Sequence, residues 1–426
     1  MNTKYLAIYY TLLLLVMMTW TSQDVAPPMP LRIAFLIAVL LPGSRNRHGL
    51  FFVAMFCFWT ISVYGYAYSY MPTMPGIYLL ATIVTVFIYK YKLKPLFGRG
   101  NILFLLLLLL IFLSSIGSGL PASGLVEVLL IIFLSRLLLA KADERTIAYF
   151  QLAFMVITIV LSFYLITVCD IFTFDSSLFG EKDRIGKNDP NYMGMIIGMG
   201  VSVGVDCLLR IKQQNYYFIG LSIASILIAI PVLLLLASRG ALLCLVISTI
   251  FLLVMKTGNR RTKILLVLAG GFFLYYLYNN EYFDLLEARI LNDDGSGSYR
   301  LTIWKDKWDG FTSSLNISRL LFGVGWEEGL HYGAAEDCLK VLGFHNDFLA
   351  FLVCYGIIGL GLFLALLTLP LRHIKRCSER WAVVCANVFY LIAGCSTLEP
   401  FSMGNFCFYA FLTYTMLLTS VKNKLR

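Results

Sequence analysis

Charge is what this chain has least of. Only 14% of its 426 residues are Asp, Glu, Lys or Arg, against about 25% in an ordinary soluble domain. A solvated surface cannot be built from so few charges, so a soluble globular protein is excluded. Strict apolar–polar alternation is also lacking, which argues against an outer-membrane barrel. No CxxC pair occurs among the ten cysteines. Most of them, including Cys57, Cys244, Cys354, Cys385 and Cys407, lie in apolar runs, and Cys338 alone lies well inside a polar stretch. Small core residues are therefore expected rather than disulfides or metal ligands. Residues 4–20 lack a small-x-small cleavage site and read as a spanning helix, not a removable leader. No internal repeat stands out, which weighs against a transporter built from inverted halves.

What is present is apolar sequence in long Leu-rich runs. Hydrophobic residues make up 59% of the chain and mean hydropathy is +0.79, the composition of an all-α polytopic membrane protein. Candidate spans fall at 4–21, 30–43, 50–70, 76–90, 101–117, 121–140, 147–169, 191–209, 217–237, 240–256, 262–279, 346–371, 382–397 and 401–421. That predicts fourteen helices, or twelve if the short runs 30–43 and 76–90 do not cross. The loops between them alternate in charge. One set, with both termini, holds 23 of the 34 basic residues and only Asp143, Glu144, Asp206 and Glu379 among the acids. Positive-inside bias puts that set in the cytoplasm and turns 172–190 and 280–345 outward, towards the periplasm in a Gram-negative cell. The net charge of +10 is thus spread over short loops, a poor footprint for nucleic acid. The chain divides into N-terminal helices (1–170), helices carrying the Arg239 turn (171–279), an outer loop (280–345) and C-terminal helices (346–426).

Polar chemistry is confined to the outer face. Ser238-Arg239-Gly240 sits between two long apolar runs, and an ionisable residue at such a boundary is a functional candidate, the alternative being an interfacial anchor that snorkels. The loop 280–345 carries Arg289, Arg300 and His331. Its 281–291 segment has the pattern of an amphipathic surface helix, with Phe283, Leu285, Leu286 and Ile290 inward. Asn292 to Ser298 reads as a turn, in which Asp293-Asp294 is more readily a solvated pair than a metal site. Leu321-Phe322-Gly323-Val324-Gly325-Trp326 reads as a glycine turn able to approach a ligand closely. His345-Asn346-Asp347 starts the next span. The string Arg184-Ile185-Gly186-Lys187-Asn188-Asp189-Pro190-Asn191 opens another on the same face, where Arg184, Lys187 and Asn191 could meet an anionic ligand or only water.

Two arginines at a membrane boundary suit a phosphate-bearing lipid, because the guanidinium fork matches phosphate oxygens bidentately. A histidine beside them suits removal of a proton from an alcohol. Together they fit attack by a sugar hydroxyl on an anomeric carbon whose leaving group is a polyprenyl diphosphate. The order Ser238-Arg239-Gly240, Tyr299-Arg300 before Ile303-Trp304, Phe322-Gly323-Val324-Gly325 and His345-Asn346-x9-Gly356-x2-Gly359 resembles the bacterial O-antigen ligase and polysaccharide polymerase family. The resemblance covers about 190–400. It implies a GT-C-like helical fold and metal-independent, inverting transfer without a cofactor, in the inner membrane with the site facing the periplasm. It further implies that Arg239 and Arg300 hold an undecaprenyl-diphosphate-linked glycan donor and that His345 activates the acceptor hydroxyl; Arg289 and Asn346, polar residues of the same stretch, are further substrate-binding candidates. The acceptor would be a second lipid-linked glycan in a polymerase, which a chain-length regulator could accompany, or lipid A–core in a ligase. The Gly-Ser turn before Arg300 and the His-Asn-Asp-Phe-Leu string look more like the polymerases. A lipid-glycan flippase is the non-enzyme alternative.

Overall fold

In a computed structural model the described residues are 99–114, 144–167, 190–209, 216–255, 260–291, 300–332, 343–376, 380–401 and 406–420, with isolated positions before 40. The predicted spans 50–70, 76–90 and 121–140 lie outside them, as do nearly all of 4–21 and 30–43. Among the described residues the elements are helical and there is no strand. In chain order they are α1 (Arg99–Ser114), α2 (Glu144–Thr167), α3 (Pro190–Leu209), α4 (Tyr216–Leu235), α5 (Arg239–Met255) and α6 (Arg260–Asn279). Then come four short helices, α7 (Asp284–Leu291), α8 (Arg300–Ser313), α9 (Ile317–Phe322) and α10 (Trp326–His331). α11 (Asp347–Thr368), a 3-10 stretch (Leu369–Arg376), α12 (Trp381–Thr397) and α13 (Phe406–Ser420) complete the order. α2, α3, α4 and Asp347–Arg372 are long and apolar enough to cross a membrane, and five shorter apolar helices accompany them among the described residues.

Between helices in a bilayer, close packing and hydrogen bonds do the work that the hydrophobic effect does in water. α3 supplies small residues for this: Gly194 lies against Ser238 and Ala241 of the α5 start, and Gly198 against the Tyr390 hydroxyl of α12. That hydroxyl donates to the Met195 carbonyl at 2.7 Å, tying α12 to α3. α2 and α13 interlock through Phe150, Phe154, Phe411 and Tyr414, with ring centroids 5.4–6.5 Å apart. Where α2 and α12 begin, the Arg380 guanidinium pairs with Glu144. α6 turns Leu265, Val267, Leu268 and Phe272 outward, as a lipid-facing helix does. Its last turns expose Tyr275, Tyr276 and Tyr278, the residues of an interfacial aromatic belt.

The sequence reads 346–371 as one span, but the structure breaks it. Gly356 has φ 67° and ψ −169° within α11, a region of backbone space that is essentially glycine's own. The break leaves the Val353 and Cys354 carbonyls without their usual helical donors, and buried carbonyls must find others. The glycine turn supplies them: Val324 N–H donates to Val353 O at 3.0 Å and Gly325 N–H to Cys354 O at 2.9 Å. Gly323, at φ 76°, lies so close that a Cβ would sit 2.2 Å from the Cys354 carbonyl carbon. The close approach read from these glycines is therefore backbone to backbone, anchoring the polar cap in the helix break. The surface helix starts at Asp284 rather than 281 and leaves Ile290 half exposed instead of inward.

Candidate functional site

The end of α12 organises the polar end of the bundle. Gly240, second residue of α5, lies against Thr397, to which a Cβ would approach within 3.1 Å. Ser238 Oγ donates to Asn191 Oδ1 at 3.1 Å, joining the starts of α5 and α3. Asp347, fully buried, donates its N–H to Leu398 O at 3.2 Å and accepts the Phe401 N–H on Oδ2 at 3.0 Å. The starts of α3, α5 and α11 thus gather around 396–401. Asn191, Arg239, His345 and Asn346, spread over 155 positions of sequence, share one end. Arg239 opens α5 after a turn in which Ala237 takes φ 47°, and its side chain is half-buried.

Arg300 opens α8 and is also half-buried. Both arginines therefore stand at helix N-termini, where the peptide dipoles add to the attraction for an anion. One turn on, Trp304 Nε1–H donates to the Phe344 carbonyl at 2.9 Å, bringing α8 to the residue before His345. His345 takes φ 50°, uncommon for a side-chain-bearing residue, and so turns off the helix it precedes. Glu399 stabilises that turn. Its Oε2 accepts the Phe344 N–H at 2.7 Å, and the His345 N–H also faces its carboxylate. Burial, reinforced by Asp347, raises the Glu399 carboxyl to about 7 against the opposing pull of those N–H groups and Lys307. Burial likewise lowers Lys307, whose neighbours Cys354, Glu399 and Asp306 oppose the shift.

Other sequence candidates stand elsewhere. Arg289 is on α7, which packs against α4, and its side chain is outside the described residues. Arg184, Lys187 and Asp293-Asp294 are outside them too. His331 closes α10 with its Nδ1 2.7 Å from Glu327 O. Asn346 caps α11, its Oδ1 accepting the Leu349 N–H at 3.1 Å. Loss of such a cap costs about 1 kcal/mol. Asn346→Ala should therefore lower thermal stability by about that amount in detergent; loss of turnover well beyond it would mark a direct substrate contact. Glu399 and Lys307 were missed by the sequence reading. Glu399 lies between the predicted spans 382–397 and 401–421, and a carboxylate in so short a connection on the candidate face was a usable signal.

Helical spans with a cap of short helices, two arginines and a histidine near one end make this an all-α membrane protein with a polar site at the bundle end. Residues 223–364, one third of the chain, match the family model described as O-antigen ligase, which supports membership of that family. The match takes in Arg239, Arg300, His345 and Gly356 but stops before Glu399. It supports an enzyme of the O-antigen ligase or related polymerase kind, a class that implies lipid-linked glycan substrates. No curated protein matches the chain.

Proposed function

We propose that the chain transfers an undecaprenyl-diphosphate-linked glycan to a sugar hydroxyl at the periplasmic face of the inner membrane. The observation that carries this is the common position of Arg239 and the His345 turn around the end of α12, with Arg300 opening the helix that grips Phe344. The acceptor oxygen forms its bond to the anomeric carbon from the face opposite the diphosphate, inverting that centre. The carbon–oxygen bond to diphosphate breaks, and its electron pair leaves with undecaprenyl diphosphate. Arg239 and Arg300 stabilise the charge that develops there, where desolvated, preorganised cations are worth most. His345 takes the proton from the hydroxyl. No step calls for a metal or cofactor, in keeping with the family resemblance.

We read the acceptor as a second lipid-linked repeat unit, on the Gly-Ser turn before Arg300 and the His345-Asn346-Asp347-Phe348-Leu349 string. The family model's description favours the second reading, a ligase acting on lipid A–core. Deletion of the gene followed by electrophoresis of the cell's lipopolysaccharide separates them. Core bearing a single repeat is the polymerase result. Bare core with accumulated lipid-linked polymer is the ligase result. An unchanged ladder would contradict both.

A further inference from the structure

Phe344 is completely buried and is gripped from several directions. Glu399, in the connection after α12, accepts its N–H at 2.7 Å. Trp304 donates to its carbonyl at 2.9 Å. The Lys307 ammonium lies 5.3 Å from its ring centroid, and the Trp326 ring is 6.0 Å away. Lys307 is itself only 3% exposed and donates to the Leu330 carbonyl. A lysine so placed is rare, because an ammonium loses its hydration there and must be compensated. Its compensation comes from the ring face, the carbonyl and the Glu399 carboxylate. Spacing adds a second point: Arg300, Trp304 and Lys307 stand at i, i+4 and i+7, one face of α8. The face that grips Phe344 is thus the face on which Arg300 stands.

From this geometry we infer that Lys307 and Glu399 are positioning residues for His345, holding Phe344 between α8 and the α12–α13 connection so that His345 and Arg300 keep a fixed relation. The inference rests on the transferase reading above. Packing alone would not call for these charges, since buried charged groups can often be replaced by apolar residues of similar volume at no cost in stability. A role in registry explains them better. Ionised Glu399 grips the two N–H groups by charge-assisted hydrogen bonds, which weaken when it is protonated. The groups facing it are Lys307 from α8, Asp347 and Cys354 from α11 and the N–H groups of Phe344 and His345.

The test uses the purified full chain in nanodiscs, with undecaprenyl-diphosphate-linked glycan extracted from the source strain. Turnover is normalised to monodisperse, folded protein. Lys307→Met and Glu399→Gln are each expected to lower turnover about tenfold, less than the ~10²-fold that a full 1 Å misplacement can cost because each leaves the other grip in place, with donor KM within about twofold of wild type. The carboxyl is raised from 4.5 to about 7, so its ionisation costs the folded form stability as pH rises through that window and leaves the cost in place above it. Glu399→Gln removes that cost and should melt no lower than wild type at pH 8, although it turns over more slowly. The acidic limb of the wild-type turnover profile should be steeper than one ionisation, and that of Glu399→Gln should reduce to one. Wild-type turnover per folded protein with a wild-type profile shape in both variants would overturn the inference, whatever the yield of folded protein. If instead wild type shows no transfer, or His345→Ala retains it, the transferase reading itself fails.

Discussion

Replacing His345 by alanine is expected to abolish glycan transfer while leaving the protein in the membrane. A positioned general base contributes about 10²–10⁴-fold to rate, so residual turnover should fall below detection in a glycan ladder. The substitution removes an imidazole from a turn fixed by its neighbours' backbone: Glu399 and Trp304 hold Phe344, and Asn346 caps α11. Alanine is less favoured than histidine at φ 50°, but the difference is small against the total stability and the neighbouring contacts remain, so folding should survive. Arg239→Ala and Arg300→Ala should each cost about 10²–10³-fold, the scale for removing one stabilising donor from a developing anion. Complementation of a deletion strain with each variant, scored by ladder and membrane abundance together, checks the three at once. Normal ladders from all three would remove the site assignment.

The largest structural effect is expected at the cap anchor. Gly323→Val and Gly356→Val each demand a side chain at positive φ, with a Cβ 2.2–2.4 Å from backbone atoms of the opposing segment. The strained backbone alone costs about 1–3 kcal/mol, and the overlap must be relieved by parting Val324 and Gly325 from the Val353 and Cys354 carbonyls. Set against a total stability of about 5–15 kcal/mol, either change should prevent accumulation of folded protein. Membrane immunoblots and size-exclusion profiles in detergent report this. A monodisperse, wild-type-abundant Gly323→Val protein would show that the turn does not anchor the cap.

The span positions were legible because apolar run length follows bilayer thickness, and 191–209, 217–237 and 262–279 match α3, α4 and α6 within a few residues. The break at Gly356 was not legible, since a glycine inside an apolar run looks like packing until its φ is known. Arg239, Arg300 and His345 could be named as candidates from residue chemistry and from the family's string of motifs. The grip on Phe344 could not be named, because it is made across distant segments and largely by backbone groups. The i, i+4, i+7 spacing of Arg300, Trp304 and Lys307 was present in the sequence, but it gains meaning only once Phe344 is seen against that face. The structural role of Asn346 as a helix cap was hidden by its place beside the candidate histidine.

The most direct test of the central proposal is reconstitution of the purified full chain with undecaprenyl-diphosphate-linked glycan and acceptor, in EDTA. The expected result is undecaprenyl diphosphate released in step with a new glycosidic bond of inverted anomeric configuration, lost in His345→Ala. Release that needs a divalent metal, retention of configuration, or equal activity in His345→Ala would contradict it.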